Sequence, residues 1–160
     1  MLGGVNHRNA LDDLAAERRR WREAGRRVVL TNGCFDLLHP GHHALLEAAR
    51  LEGDILVVAL NSDASVRGLK GVGRPVIPEA ERTEVLLALE AVDRVVVYGE
   101  PTPIEVIRAL LPDVLVKGAD WADDRIVGRR EVEEAGGRVV RIALVSGWST
   151  SALVRRIRRP

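Results

Sequence analysis

One cysteine, Cys34, stands in 160 residues, so no internal disulfide can form and too few thiolates exist for a structural zinc site. Aromatic residues make up 3% of the chain, too few to build the stacking surface that single-stranded nucleic acid requires. No apolar run approaches the roughly 20 residues of a membrane helix; Ile55 to Leu60 is among the longest, and the N-terminus lacks a signal-peptide core. Neither sign of charge dominates: Lys plus Arg total 24 against Asp plus Glu 23, a formal +1. Anion binding must therefore be local, not a property of the whole surface. The clusters Arg18 to Arg20 and Arg155 to Arg159 read as solvated helix faces. These absences predict a cytoplasmic protein with neither membrane nor nucleic acid as partner.

What is present is ordinary globular composition, 46% hydrophobic and 29% charged, at the usual length of one domain. Aliphatic and β-branched runs predict strands at 27–31, 54–60, 94–98, 113–117 and 138–142. Their nearly continuous apolar character suits a parallel sheet buried on both faces. Helical spacing falls between them, at 41–51, 79–91, 103–111, 123–135 and 150–158. The alternation predicts an α/β fold: a doubly wound, five-stranded parallel sheet with helices on both faces, in a single domain, and a ligand crevice beyond the carboxyl ends of the strands. Residues 1–24 read as a tail and an arginine-rich amphipathic helix, closed by Gly25, ahead of the main domain at 25–160.

The segment Thr31-Asn32-Gly33-Cys34-Phe35-Asp36 closes the first strand, and Leu37 to His42 opens the next helix. Pro40 suits the first helical position, because its fixed φ matches a helix and its missing N–H would be an orphan there. The free amides of the first turn then face outward with the positive end of the helix dipole, a setting that favours phosphate. His39 and His42, three apart, can meet one phosphate. Gly33 and Gly41 remove side chains where a nucleotide would approach the backbone. The same spacing also fits His39 capping the helix, with the glycines making a turn.

The string GCFDLLHPGH resembles the signature of the HxGH nucleotidylyltransferases. Together TNGCFD, NSDASVRGLKG, RPV, ALEAVDRVVVY, LPDVLVKGADW and GWSTS resemble the heptose 1-phosphate adenylyltransferase branch, from about Leu11 to Arg158. The resemblance implies a Rossmann-like fold, ATP as substrate with Mg²⁺, and transfer of AMP to D-glycero-β-D-manno-heptose 1-phosphate. It also implies a homodimer, and a separate kinase and phosphatase to supply the sugar phosphate. Cytidylyltransferases share GxFDxxHxGH, so CTP with glycerol 3-phosphate is the alternative pair; phosphopantetheine adenylyltransferases are a third possibility, and a non-catalytic nucleotide-binding module a fourth.

Carried onto this chain, the resemblance makes His39, His42 and Lys70 the catalytic candidates. Thr31, Asn32, Gly33, Cys34, Phe35, Asp36, Gly41, Asn61, Asp63, Arg74, Lys117, Gly118, Asp120, Ser149, Thr150 and Ser151 are the nucleotide-binding candidates. Lys70 and Arg74 sit in what reads as a flexible stretch, fit to neutralise phosphates or to be solvated cations. Asp36 and Asp63, near strand ends, could orient a histidine or hold Mg²⁺ through water, or cap a turn. Ser149 or Thr150 can cap the last helix while facing an anion. Trp121 could stack on a base or fill a core gap, and Arg82 could lie near substrate or pair outside with Glu79 or Glu81. No residue set reads as a resident metal site.

Overall fold

The computed structural model describes residues 7–119, 125–143 and 145–157. Along them run α1 (His7–Glu23), β1 (Val28–Gly33), α2 (Pro40–Arg50), β2 (Ile55–Asn61), α3 (Asp63–Lys70), α4 (Glu79–Leu87), β3 (Arg94–Tyr98), α5 (Ile104–Leu110), β4 (Val114–Gly118), α6 (Arg129–Glu134), β5 (Arg138–Ile142) and α7 (Thr150–Ile157). The five strands pair in parallel in the order β3-β2-β1-β4-β5. This is the expected α/β, Rossmann-like sheet.

Strand alternation supplies both faces. Val28 and Leu30 of β1 point into one core with Leu14 of α1 and Val106, Ile107 and Leu110 of α5. Val29 points into the other, with Leu46 and Ala49 of α2 and Leu86 of α4. Each such valine, leucine or isoleucine, fully buried, contributes about 1.5–3 kcal/mol, and every residue of β2 is buried. That is why the sequence shows runs where a half-exposed strand would alternate.

The chain lays down β1, β2 and β3 in one direction and then returns to β4 on the far side of β1. The crevice of a doubly wound sheet opens at that reversal. The β1–β4 ladder runs from Val29 opposite Val114 to Thr31 opposite Val116 and stops there. Asn32 and Lys117 are the first residues past it.

α1 lies against α5 and β3, and its apolar face is covered by its own chain: Leu14 is in the core, with Leu11 and Trp21 packed beside it. A homodimer contact through that face, the surface suggested by its amphipathic pattern, is thereby taken. Arg18 is also not a solvated residue. At 3% exposure it donates from Nε to the Leu110 carbonyl (3.1 Å), and from Nη2 to the Leu111 carbonyl (3.1 Å) and Asp113 Oδ1 (3.0 Å). Asp113 Oδ2 in turn accepts from the Val28 amide at 2.7 Å, so one carboxylate ties α1, β1 and the start of β4.

Two further local expectations change. The flexible stretch at Lys70 is a helix: Ser62 caps α3 by accepting from the Ser65 amide, Asp63 lies in its first turn, and Arg67 and Lys70 lie in its last. Those are favourable cap and dipole choices, with Gly68 inside the helix and Gly71 at its end obscuring them. Of the expected helix at 123–135, residues 123 and 124 lie outside the described residues, and the α-helix described there begins at Arg129, after Gly128 in a left-handed conformation.

Candidate active site

The turn from β1 into α2 is built by side chains folding over their own backbone. Phe35 takes a left-handed φ of 41°, reversing the chain after the strand. Pro40 is the first helical residue of α2 and His39 is its N-cap. The His39 Nδ1 and carbonyl oxygen both accept from the His42 amide, at 3.3 and 2.9 Å. Capping and pairing are therefore compatible: the imidazoles of His39 and His42 also stack, with centroids 3.8 Å apart and 15° between planes.

The glycines make room for this chain's own rings. A Cβ on Gly41 would lie 3.1 Å from both Cε1 and Nδ1 of His39, and one on Gly33 would lie 3.0 Å from the Phe35 ring. The sequence reading assigned those spaces to a nucleotide.

Burial, then the neighbouring His39, push the His42 imidazole down to about 4, opposed by the Leu37 backbone; its Nδ1 is buried without a partner in hydrogen-bond geometry. Burial also lowers His39. Burial thus disfavours the imidazolium form of both rings, and an adjacent anion would favour it. Because His39 Nδ1 accepts a hydrogen bond, the neutral ring carries its proton on Nε2.

A cavity of about 580 Å³ opens across the carboxyl ends of the strands, lined by His39, Gly41 and His42 of α2 and its cap, and by Thr31, Asn32, Gly33, Cys34 and Phe35 of β1 and its loop. Of the other expected residues, Asn61, Lys70, Arg74, Lys117, Gly118, Ser149, Thr150 and Ser151 also lie on its walls. Sequence reasoning missed Tyr98, Thr102 and Trp148, which also line it. The signal for Tyr98 was its place as the last residue of a strand, where ligands gather. Ser149 caps α7, accepting from the Ala152 amide at 3.1 Å.

Asp36 and Asp63 do not line the cavity. Asp36, 3% exposed, accepts from Arg74 Nε (2.6 Å) and from the amides of Val76 (2.8 Å) and Ile77 (2.9 Å). It anchors the segment that carries Arg74. Asp63 pairs with Arg82 Nη2 at 2.7 Å. Arg82 lies inside the protein, 2% exposed, neither at the cavity nor paired outside. Its guanidinium also donates to the carbonyls of Ile77 (2.9 Å), Cys34 (2.6 Å) and Asn61 (2.9 Å). One planar fork thus fixes the β1–α2 loop, the end of β2, the start of α3 and the Arg74 segment. Asp120 and Trp121 lie outside the described residues.

No carboxylate lines the cavity among the described residues, while Lys70, Arg74, Lys117 and two imidazoles do. Asp36 matches the charge of Arg74. Lys117 is 8% exposed, and burial pushes its ammonium down to about 8. Its Nζ donates to Asn32 Oδ1, and Asn32 Nδ2 donates to the Tyr98 hydroxyl at 3.3 Å. Chemically, this is a receptacle for a phosphorylated ligand.

The cytidylyltransferase-like family model matches residues 30–154. The chain belongs to that family. Nucleotidyl transfer is the class of chemistry that comes with the membership. A bifunctional protein HldE of Methylobacillus flagellatus is 53% identical over 147 residues, covering 92% of this chain and 30% of the relative. The HldE of Acidiphilium cryptum is 58% identical over 144 residues, covering 90% and 29%. This chain spans about 30% of the length of such relatives. A crystal structure of the lipopolysaccharide core biosynthesis protein from Thermoplasma volcanium superposes with a TM-score of 0.63 at 26% identity, covering 76% of this chain and 98% of that one. No helix among the described residues is long and apolar enough to cross a membrane.

Proposed function

We propose that this chain, through its 25–160 domain, transfers AMP from ATP to a heptose 1-phosphate, releasing pyrophosphate and forming ADP-heptose. The observation that carries the phosphate chemistry is the cavity at the sheet reversal, rich in cations and hydrogen-bond donors and without a carboxylate among the described residues. The choice of adenine and heptose is supported by the ordered resemblance from TNGCFD to GWSTS. It is also in keeping with a structural relative that bears the name of a lipopolysaccharide core biosynthesis protein. We read the enzyme as a cytoplasmic homodimer, meeting its partner through a face other than the apolar side of α1.

In this mechanism an oxygen of the sugar phosphate attacks the α-phosphorus in line. The P–O bond to pyrophosphate breaks, and the electron pair leaves on pyrophosphate. The nucleophile is already anionic near neutral pH, so no general base is required. Catalysis is positioning and charge stabilisation. His39, His42 and Lys70 stabilise negative charge at the α-phosphate and leaving group, while the hydroxyls and amides of Ser149 to Ser151 hold the phosphate chain. Asp36 and Asp63 are engaged by Arg74 and Arg82 and do not fit a resident Mg²⁺ site. Mg²⁺ enters with its nucleotide, as MgATP.

The test is pyrophosphate release with each of the four NTPs against both anomers of heptose 1-phosphate and glycerol 3-phosphate. ATP with a heptose 1-phosphate is expected to turn over fastest. Preference for CTP with glycerol 3-phosphate would overturn the reading, as would ATP binding without turnover on any acceptor. His42→Ala should lower turnover by two orders of magnitude or more, on the order of what loss of one charge-stabilising donor costs, with the circular dichroism spectrum unchanged.

A further inference from the structure

We propose that Lys117, held between β1 and β4 by Asn32, is the residue that receives the acceptor's phosphate and thereby restricts the second substrate to phosphate monoesters. This rests on the reading of the reaction as nucleotidyl transfer to a sugar phosphate.

The placement comes from the sheet. The β1–β4 ladder ends at Thr31 opposite Val116, and across the gap beyond it the Lys117 ammonium meets the Asn32 amide oxygen. Asn32 is oriented from its other side, where its amide nitrogen donates to Tyr98. An ammonium offers three donors; Asn32 takes one and carries no charge to offset it. Burying a cation beside neutral dipoles alone is unfavourable, and an arriving anion offsets that cost.

Among the described residues, the titratable and charged groups that face this cavity from neighbouring elements are Cys34, His39, His42, Lys70, Arg74 and Tyr98. None of them is an acid that could neutralise Lys117 at pH 7. His39, His42 and the start of α7 are committed to the nucleotide's phosphates in the proposed reaction. In-line displacement puts the acceptor opposite the leaving pyrophosphate; of the cavity's cations, Lys70 is also assigned to the nucleotide and Arg74 is matched by Asp36, which leaves Lys117 for the acceptor.

The experiment compares steady-state pyrophosphate release by wild type, Lys117→Met and Asn32→Asp, varying ATP and heptose 1-phosphate separately from pH 6 to pH 10. In wild type, kcat/KM for the sugar phosphate should fall above about pH 8, as Lys117 loses its proton. Lys117→Met should raise the KM for sugar phosphate about tenfold or more, the scale of one charge-assisted contact, leave the KM for ATP within about twofold, and abolish the alkaline limb. Asn32→Asp supplies a permanent carboxylate. It should raise the same KM and move the limb to higher pH, giving a second readout should the methionine variant fold poorly. An ATP KM that rises as much as the acceptor's, or an alkaline limb that survives in Lys117→Met, would overturn the assignment while leaving the reaction intact. Absence of turnover by wild type on any sugar phosphate would overturn both.

Discussion

The imidazoles of His39 and His42 lie face to face, 3.8 Å between centroids, and His39 adds to the burial that disfavours protonation of His42. His42 is the more buried of the two and titrates at about 4, below the roughly 6.5 of an unfolded histidine. Between those values the unfolded chain binds the extra proton, so the contribution of His42 to stability is complete above about pH 6.5 and is lost as pH falls toward 4. Urea denaturation of wild type should show a loss of roughly 2–3 kcal/mol from this source between pH 7 and pH 4. His42→Gln should flatten that part of the dependence, and an unchanged slope in the variant would refute the assignment.

Gly41→Ala should separate folding from catalysis. Alanine in the first turn of α2 favours the helix by up to about 1 kcal/mol, so thermal stability should hold or rise slightly. The new Cβ, 3.1 Å from the His39 ring and 3.4 Å from the Trp148 Cβ, would displace the imidazole. A shift of a few tenths of an ångström is smaller than the roughly 1 Å that costs about a hundredfold in rate, so a several-fold loss is expected. Measuring kcat/KM beside the melting temperature checks both halves; a variant as active as wild type would show that the ring position is unimportant.

Arg82 should not tolerate lysine. A single ammonium cannot reproduce a fork that reaches Asp63 and three carbonyl oxygens from separate segments. Arg82→Lys is expected to cost about 3 kcal/mol or more, since it leaves buried partners unmatched. Activity should fall as well, although Arg82 does not line the cavity. Urea midpoints and turnover on the same preparation provide the check.

Arg18→Met is the complementary case. It removes the buried link from α1 to Leu110, Leu111 and Asp113, but Asp113 keeps its bond to the Val28 amide and partial access to water. A loss of about 1–3 kcal/mol with KM values unchanged is the expected outcome. Altered KM values would show that α1 reaches the cavity as well as the core.

The sheet was legible because its strands are apolar on both faces, and Pro40 correctly marks the first residue of α2. The cavity's place follows from the same alternation of strands and helices. Arg18, Arg82 and Asp36 were not legible. Arg18 sits in a run of arginines that reads as a wet helix face, yet its partners lie 92 to 95 residues away. Asp36 meets partners 38 to 41 residues on. Burial of a charge depends on where distant carbonyls and carboxylates converge, which local periodicity does not encode. The histidine pair was visible as spacing, but its neutral state depends on desolvation by the folded chain.

A cavity wall with cations and no acid among its described residues has a consequence beyond the positions of individual groups. Arg74 is already matched by Asp36, so the standing potential comes from Lys70 and Lys117, and it draws polyanions in before any contact is made. Encounter with a nucleotide triphosphate is accordingly accelerated at low ionic strength and slowed as added salt shortens the Debye length from about 30 Å at 0.01 M to about 8 Å at 0.15 M. The same field makes no distinction among small anions, so sulfate and inorganic phosphate compete for the cavity, and in the proposed reaction pyrophosphate, the more highly charged product, leaves it against the potential that brought the substrate in.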